Sequence, residues 1–261
     1  MYKKLMYVML CGLVLCGTAI ASPAIDSAVI KTRIFNDNPT SIVTTSNFYP
    51  SSLTIKDEQI VGGGWANLHN FRLSADGGST PATFANADAF EFAADVTLTG
   101  TGNSEGGLNI APWWSLDVDG RFMANTGNGE IAAFGGRLPF YSFNAQSLTY
   151  TKGDTIRMGV VYRPNSLNAG DPATIEYLVT KAAITYTSGA LAFDQGTPAE
   201  DPPHGLWGML SPAQVGGYFQ PQVGTAGNWE QVAFGNMDYV PEPATMTILA
   251  LGSLFLARRK K

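Results

Sequence analysis

Phe90-Glu91-Phe92-Ala93-Ala94-Asp95-Val96-Thr97-Leu98-Thr99 alternates apolar and polar side chains along its length. Successive side chains of a strand point to opposite faces, so Phe90, Phe92, Ala94, Val96 and Leu98 share one side and the segment reads as a half-buried β-strand. Ile156 to Arg163 repeats the pattern, with Ile156, Met158, Val160 and Tyr162 on its apolar side. Working outward, strands are expected at Ala28 to Phe35, closed by Asn36-Asp37-Asn38-Pro39, and then at Ser41 to Thr45 and Leu53 to Lys56. A loop from Pro164 to Pro172 precedes strands at Thr174 to Thr180 and Ala183 to Thr187, and Trp229 to Tyr239 closes the body. With 29 Gly, 15 Pro and only 14% charged residues, the composition fits short strands and many turns, and no helix longer than two turns is required outside the two ends of the chain. The fold class is therefore all-β: a two-sheet antiparallel β-sandwich in which Phe90, Phe92, Val96, Leu98, Ile156, Met158 and Val160 share one core.

Leu108 to Phe143 reads as a three-stranded meander whose register can be argued. A three-residue loop Val118-Asp119-Gly120, with Gly120 left-handed, sets Asp117 opposite Arg121, Leu116 opposite Phe122 and Trp114 opposite Ala124. A following loop at Thr126 to Gly129 sets Ala124 opposite Ile131 and Asn125 opposite Glu130. One face is then Trp114, Leu116, Phe122, Ala124, Ile131 and Ala133, directed to the core. The other carries Trp113, Ser115, Asp117, Arg121, Asn125 and Glu130. An exposed indole among carboxylate, guanidinium and amide groups suits a sugar, whose apolar ring face stacks while its hydroxyls take the polar groups. A solvated sheet face with one half-covered Trp is the competing reading.

Catalytic patterns are sparse. There is no G-x-S-x-G, no H-E-x-x-H and no phosphate-binding glycine loop, and His69 and His204 are the only histidines. Asp117-x-Asp119-Gly120 matches part of a calcium loop, but the later ligands of that pattern do not follow, so neither metal nor cofactor is expected. Asp117 and Glu130, two strands apart on one face, could meet the spacing of a glycosidase pair, as carboxylates on any large acidic sheet could.

The two ends carry addresses. Lys3 and Lys4 precede an apolar stretch from Leu5 to Cys16, and Ala19-Ile20-Ala21 offers the small residues that signal peptidase cuts after, so residues 1–21 read as a secretory signal. Cys11 and Cys16 each follow a Leu rather than the Gly or Ala of a lipoprotein signal. Both lie in the discarded segment, which leaves the mature body without disulfides or thiol chemistry. At the other end, Val240 to Lys261 reads VPEPATMTILALGSLFLARRKK. Pro241 and Pro243 hold Glu242 in an extended stretch. Ala244 to Ala257 carries no charge, and as a helix it would rise roughly 21 Å, short of a hydrocarbon core of about 30 Å. Arg258, Arg259, Lys260 and Lys261 would stay cytoplasmic. The chain thus divides into a signal peptide (1–21), a sandwich domain (22–239) and a sorting segment with a short transmembrane helix (240–261).

In those three features, in that order, the tail resembles the PEP-CTERM sorting signal of exported bacterial proteins. The resemblance implies processing by an exosortase that recognises Pro241, Glu242 and Pro243, with the membrane engaged only transiently and the body destined for the cell surface or extracellular matrix. All 21 acidic residues follow Ala21, whereas six of the 16 basic ones lie in the leader and the final cluster, so a body ending at Pro243 carries a net charge of −11. Nucleic acid is therefore excluded as a partner. At the level of fold the body resembles the jelly-roll domains of the concanavalin A-like lectins and glucanases. The glucanase branch carries Glu-x-Asp-x-x-Glu or a similar strand motif, and this chain offers only Glu91 and Asp95. Three roles remain open: a non-catalytic module that binds extracellular polysaccharide, a secreted glycoside hydrolase or polysaccharide lyase, and a structural matrix protein.

Protein isolated from the cell surface should lack the mass of its C-terminal segment by mass spectrometry, and Glu242→Ala should leave the chain in the membrane fraction. An intact Lys261 on surface protein would contradict this reading.

Overall fold

The computed structural model describes residues 22–60, 64–65, 67–197, 199, 206–209, 212–223 and 227–241. The signal peptide, Glu242, Pro243, the expected C-terminal helix and His204 lie outside the described residues. No helix among the described residues is long and apolar enough to cross a membrane.

Sixteen strands run in chain order: β1 (Ser27–Lys31), β2 (Ile42–Phe48), β3 (Ser52–Ile60), β4 (Gly64–Trp65), β5 (His69–Ser74), β6 (Phe90–Gly100), β7 (Asn103–Pro112) and β8 (Arg121–Asn125). They continue as β9 (Ile131–Phe134), β10 (Tyr141–Ser142), β11 (Thr155–Arg163), β12 (Thr174–Lys181), β13 (Ile184–Thr187), β14 (Leu191–Ala192), β15 (Ala213–Val223) and β16 (Asn228–Pro241). The helical elements among the described residues are two short 3-10 turns, Trp113–Ser115 and Phe143–Gln146. The strands form two antiparallel sheets. Sheet A has the order β1-β5-β15-β7-β8-β9-β10, with β4 beside β15, and sheet B the order β13-β12-β11-β6-β16-β3-β2, with β14 beside β12.

The two sheets pack face to face as a jelly-roll sandwich. Phe90, Phe92, Val96, Leu98, Ile156, Met158 and Val160, expected to share one core, are all buried in one cluster with Leu108, Ile110, Phe122 and Val215 of the facing sheet. Each large side chain moved from water into this layer contributes about 1.5 to 3 kcal/mol. Aromatic rings bridge the layer: Phe71 of sheet A meets Phe234 (4.8 Å) and Phe92 (6.4 Å) of sheet B, and Phe122 meets Tyr177 at 5.1 Å. Gly217 on β15 permits the first of these contacts, since a Cβ there would fall 2.5 Å from the Phe71 ring and 2.8 Å from that of Phe234.

The opening strand is shorter than expected. It ends at Lys31 because Arg33 turns left-handed (φ 58°), its amide donating to His69 Nδ1 at 3.1 Å. Ile34 and Phe35 then dock by backbone hydrogen bonds onto Leu68. The meander is present as β7-β8-β9, but with a different first register. Arg121 pairs with Asn109, Phe122 with Leu108 and Ala124 with Gly106, so residues 113–120 are a connection crossing outside the sheet. The second half follows expectation: Ala124 pairs with Ile131, and the Asn125 amide donates to the Glu130 carbonyl at 2.9 Å.

Glu230 on β16 is fully buried against the Gly100–Gly102 turn, where the Gly102 amide donates to its Oε1. Burial pushes its carboxyl up to about 7, against the opposing pull of Lys152 and that amide. A raised carboxyl favours the neutral form in the fold, so its contribution is complete below the ordinary value near 4.5 and is lost as pH rises toward 7. Glu230→Gln should therefore raise stability at pH 8 by an amount on the order of 3 kcal/mol and flatten the stability profile between those limits in urea titrations. An unchanged profile would refute the assignment.

Candidate functional site

The outward face of sheet A carries many polar side chains, and the strand register assembles it. On β15, Val215, Gly217 and Phe219 point inward, which turns Gln214, Tyr218, Gln220 and Gln222 outward. Their neighbours in register place Asn103 beside Gln222, Glu105 beside Gln220 and Asn125 beside Glu105. On β5, the inward Phe71 and Leu73 turn Asn70, Arg72 and Ser74 to this same face.

Most of this face is covered by the chain itself. Residues 113–120 fold across it as a strap and are held by side chains below. Arg72 Nε and Nη2 donate to the Leu116 carbonyl at 3.2 and 2.8 Å, Asn70 to the Asp117 carbonyl at 3.1 Å, and Asn109 to the carbonyls of Asp119 and Gly120 at 2.6 and 2.8 Å. Lys31 pairs with the Asp117 carboxylate at 2.7 Å. A second, small apolar cluster of Leu68, Met123, Ala132 and Tyr218 closes the gap, with Ile34, Val118 and Phe134 packed on it. Arg72 is thereby fully buried. Burial pulls its guanidinium down to about 9, against the favourable charge of Asp117.

Beside the strap, Arg121 Nη1 meets Glu105 Oε1 at 2.6 Å and Gln220 Oε1 at 3.1 Å. Its guanidinium lies over the Tyr218 ring at 5.0 Å, and Tyr218 Oη donates to Glu105 Oε1 at 3.2 Å. Burial, followed by the charge of Glu105, raises the Tyr218 phenol well above its ordinary value. Burial also raises Glu105, partly offset by Arg121 and Tyr218. Tyr218 is therefore a hydrogen-bond donor rather than a base. His69 faces the interior: fully buried on Phe219, its Nε2 lies 3.2 Å from Asp57 Oδ2, which also accepts from Asn67 at 2.7 Å. That pair ties β5 to β3 across the sandwich.

At one end the face opens. Asn103, Asn125, Gly127, Asn128 and Gln222 line a cleft of about 370 Å³. Asn125 Oδ1 accepts from the Gly127 and Asn128 amides at 2.7 and 3.3 Å, which shapes the rim. The side chains of Asn103 and Gln222 have no hydrogen-bond partner among the described residues. Across β15, Trp65 on β4 stands opposite Gln222 in register. The cleft thus presents neutral donors and acceptors without a charge.

The residues singled out from the sequence are dispersed by this geometry. Trp113 and Ser115 lie in the 3-10 turn that begins the strap rather than on a strand. Trp113 stands edge to face on Trp114 at 5.7 Å, and Trp114 packs on the main core. Asp117 is bound to Lys31 of β1, whereas Glu130 accepts from Ser142 of β10 at 3.3 Å. Those strands are opposite edges of sheet A, so the two carboxylates do not form a glycosidase pair. Arg121 is committed to Glu105, and Asn125 alone reaches the cleft. Glu91 and Asp95 lie on sheet B, paired with Arg163 and Arg157. Among the described residues no cluster of three metal-ligating side chains occurs. The sequence reading missed Arg72, Tyr218, Asn103 and Gln222. Their signal is the alternation in β5, β7 and β15, obscured in β7 by Gly106-Gly107 and in β15 by Gly216-Gly217 and Pro221.

A model of the PEP-CTERM protein-sorting motif matches residues 240–261. No curated protein matches the chain. Similar solved structures include an alginate lyase from polysaccharide lyase family 7, 11% identical, covering 84% of this chain and 92% of that one with a TM-score of 0.39. They also include a seed lectin of Lotus tetragonolobus, 8% identical, covering 84% and 96% with a TM-score of 0.40. The carbohydrate recognition domain of Emp46p is 7% identical, covering 80% and 88%, also with a TM-score of 0.40. The sorting motif implies an exported chain that is processed by an exosortase.

The strap depends on Gly120, left-handed at φ 77°, where a Cβ would fall 1.7 Å from the Ile110 carbonyl oxygen. Gly120→Ala should destabilise the fold by about 3 kcal/mol in urea unfolding. A loss below about 0.5 kcal/mol would mean that the strap is not held as described.

Proposed function

We propose that the body is a non-catalytic polysaccharide-binding module, carried to the cell surface or extracellular matrix by its PEP-CTERM signal and held in the membrane only transiently by the segment after Pro243. The carrying observation is the amide cleft at the open end of sheet A, where Asn103 and Gln222 offer unengaged donors and acceptors beside Asn125 and Asn128. Planar amides hydrogen-bond vicinal hydroxyls in pairs and carry no charge to desolvate, which suits a neutral sugar. Net acidity of the body disfavours a polyanionic glycan unless its charges point away from the protein. Glu105, Arg121 and Tyr218, the titratable groups on this outward face beside the cleft, are bound to one another, which favours recognition over proton transfer.

A glycan array probed with the exported protein tests this reading. One class of neutral polysaccharide should bind, and Asn103→Ala and Gln222→Ala should each weaken binding by about 1 kcal/mol, roughly fivefold, with unchanged unfolding midpoints. Release of reducing ends or unsaturated products from the bound glycan would overturn the non-catalytic assignment. Binding that is insensitive to both substitutions would move the site elsewhere.

A further inference from the structure

The sorting triplet begins inside the folded domain. Pro241 is both its first residue and the last residue of β16, paired in register with Phe90 at the start of β6. No spacer separates the body from the motif that a membrane enzyme must hold. Three Cα-to-Cα steps take Pro241 to Ala244, the start of the apolar run, and when extended they span at most about 11 Å. The leader joins at the same place. Ser22, the first residue after it, donates its hydroxyl to the carbonyl of Ala89, the residue before Phe90. Both membrane-directed segments therefore leave from one end of the sandwich, and that end must face the bilayer while the tail is in place.

The last turn of pairing is built differently from the rest of β16. From Glu230 to Gly235 the strand is held on both sides, by β3 and β6. After an irregularity between Gly235 and Asp238, residues 238–241 pair with β6 alone. The break is pinned. Asn236 is left-handed (φ 44°), its side chain donates to Asp95 at 2.7 Å, and Arg157 binds the Asn236 carbonyl at 2.9 Å and the Asp238 carboxylate at 2.7 Å. Met237, buried, donates its amide to the Pro50 carbonyl at 2.9 Å. Beyond the pin the pairing is one-sided: Val240 is 49% exposed, and Tyr239, whose ring lies against Phe84 and Phe90, has a buried hydroxyl with no hydrogen-bond partner among the described residues.

We infer that residues 239–241 are a detachable strand end. They peel from β6 as far as the Arg157 pin to deliver Pro241-Glu242-Pro243 to the exosortase, and the peeling supplies the reach that the missing spacer does not. The pin confines the opening, so the doubly held part of β16 and the core stay folded during processing. This inference rests on the PEP-CTERM reading of the tail.

The test is a staple between Glu91 and Val240, which are opposite each other in register at a Cα separation of about 4.5 to 5.5 Å that a disulfide accommodates. Both native cysteines lie in the leader, so the pair Glu91→Cys with Val240→Cys has no competing thiol in the body. The full chain is expressed in a host carrying an exosortase, and loss of the C-terminal segment is followed by mass. The stapled chain should lose processing and regain it under reductant, and a flexible Gly/Ser spacer of about six residues inserted between Val240 and Pro241 should restore processing with the staple intact. Normal processing of the stapled chain would overturn the inference, as would a stapled chain that the spacer fails to rescue. A wild-type chain that is never shortened, or one shortened as readily when Glu242→Ala is present, would instead reject the sorting reading itself.

Discussion

Phe71 can meet Phe234 only because position 217 has no side chain, and that contact locks β5 and β15 of one sheet onto β16 of the other. β5 and β15 lie side by side in sheet A, and β6 and β16 lie side by side in sheet B. Residues 22–261 contain no cysteine, so nothing covalent compensates for a loose fit between the layers. Their hold is apolar area and close packing, in which a void or an added methylene is felt directly. The polar devices of the fold sit at the margins of this layer: His69 with Asp57 at one edge, and the Tyr150 hydroxyl, which accepts from Leu98 N and donates to Asp154 O, at another.

How much of this was legible in the sequence differs between the sheets for one reason. Sheet B presents its outward face to water, so its strands alternate buried and exposed residues, and Phe90 to Thr99 and Ile156 to Arg163 announce themselves. Sheet A is covered on both faces. The strand His69–Ser74 is buried at every position, and its outward Asn70 and Arg72 serve the strap rather than solvent. Polar residues beneath a strap look like loop residues when only hydrophobicity is read. In β15, Pro221 argues against a central strand. It is accommodated where pairing with β5 ends at Phe219 and β4 begins only at Gln222.

The register of the meander failed for a related reason. Charge complementarity between Asp117 and Arg121 is a fair guide when two strands are joined by a tight turn. Here Asp117 finds Lys31 and Arg121 finds Glu105, each across the sheet rather than across a hairpin. Trp113 and Trp114 do not alternate between faces because they lie in a 3-10 turn. The amide cleft was beyond the sequence because its members come from β7, β8, β15 and the β8–β9 turn, and register alone unites them.

The position of β16 links fold and destination. It is the last strand in the chain and yet an interior strand of sheet B, between β6 and β3. Both neighbours are more than a hundred residues earlier, so sheet B cannot close until the C-terminal strand is available, and its pairing carries the largest loop-closure cost in the molecule. An exported chain meets that condition only when residues up to Pro241 have crossed the membrane, which is where the sorting triplet begins. Completion of the fold and presentation of the motif thus fall at the same point of translocation. Pairing of residues 238–241 with β6 then draws the body against the end from which both Ser22 and Pro241 emerge. Ser22 and Pro241 thus lie at one end of the sandwich, apart from the amide cleft, whose residues lie on β7, β8, β15 and the β8–β9 turn.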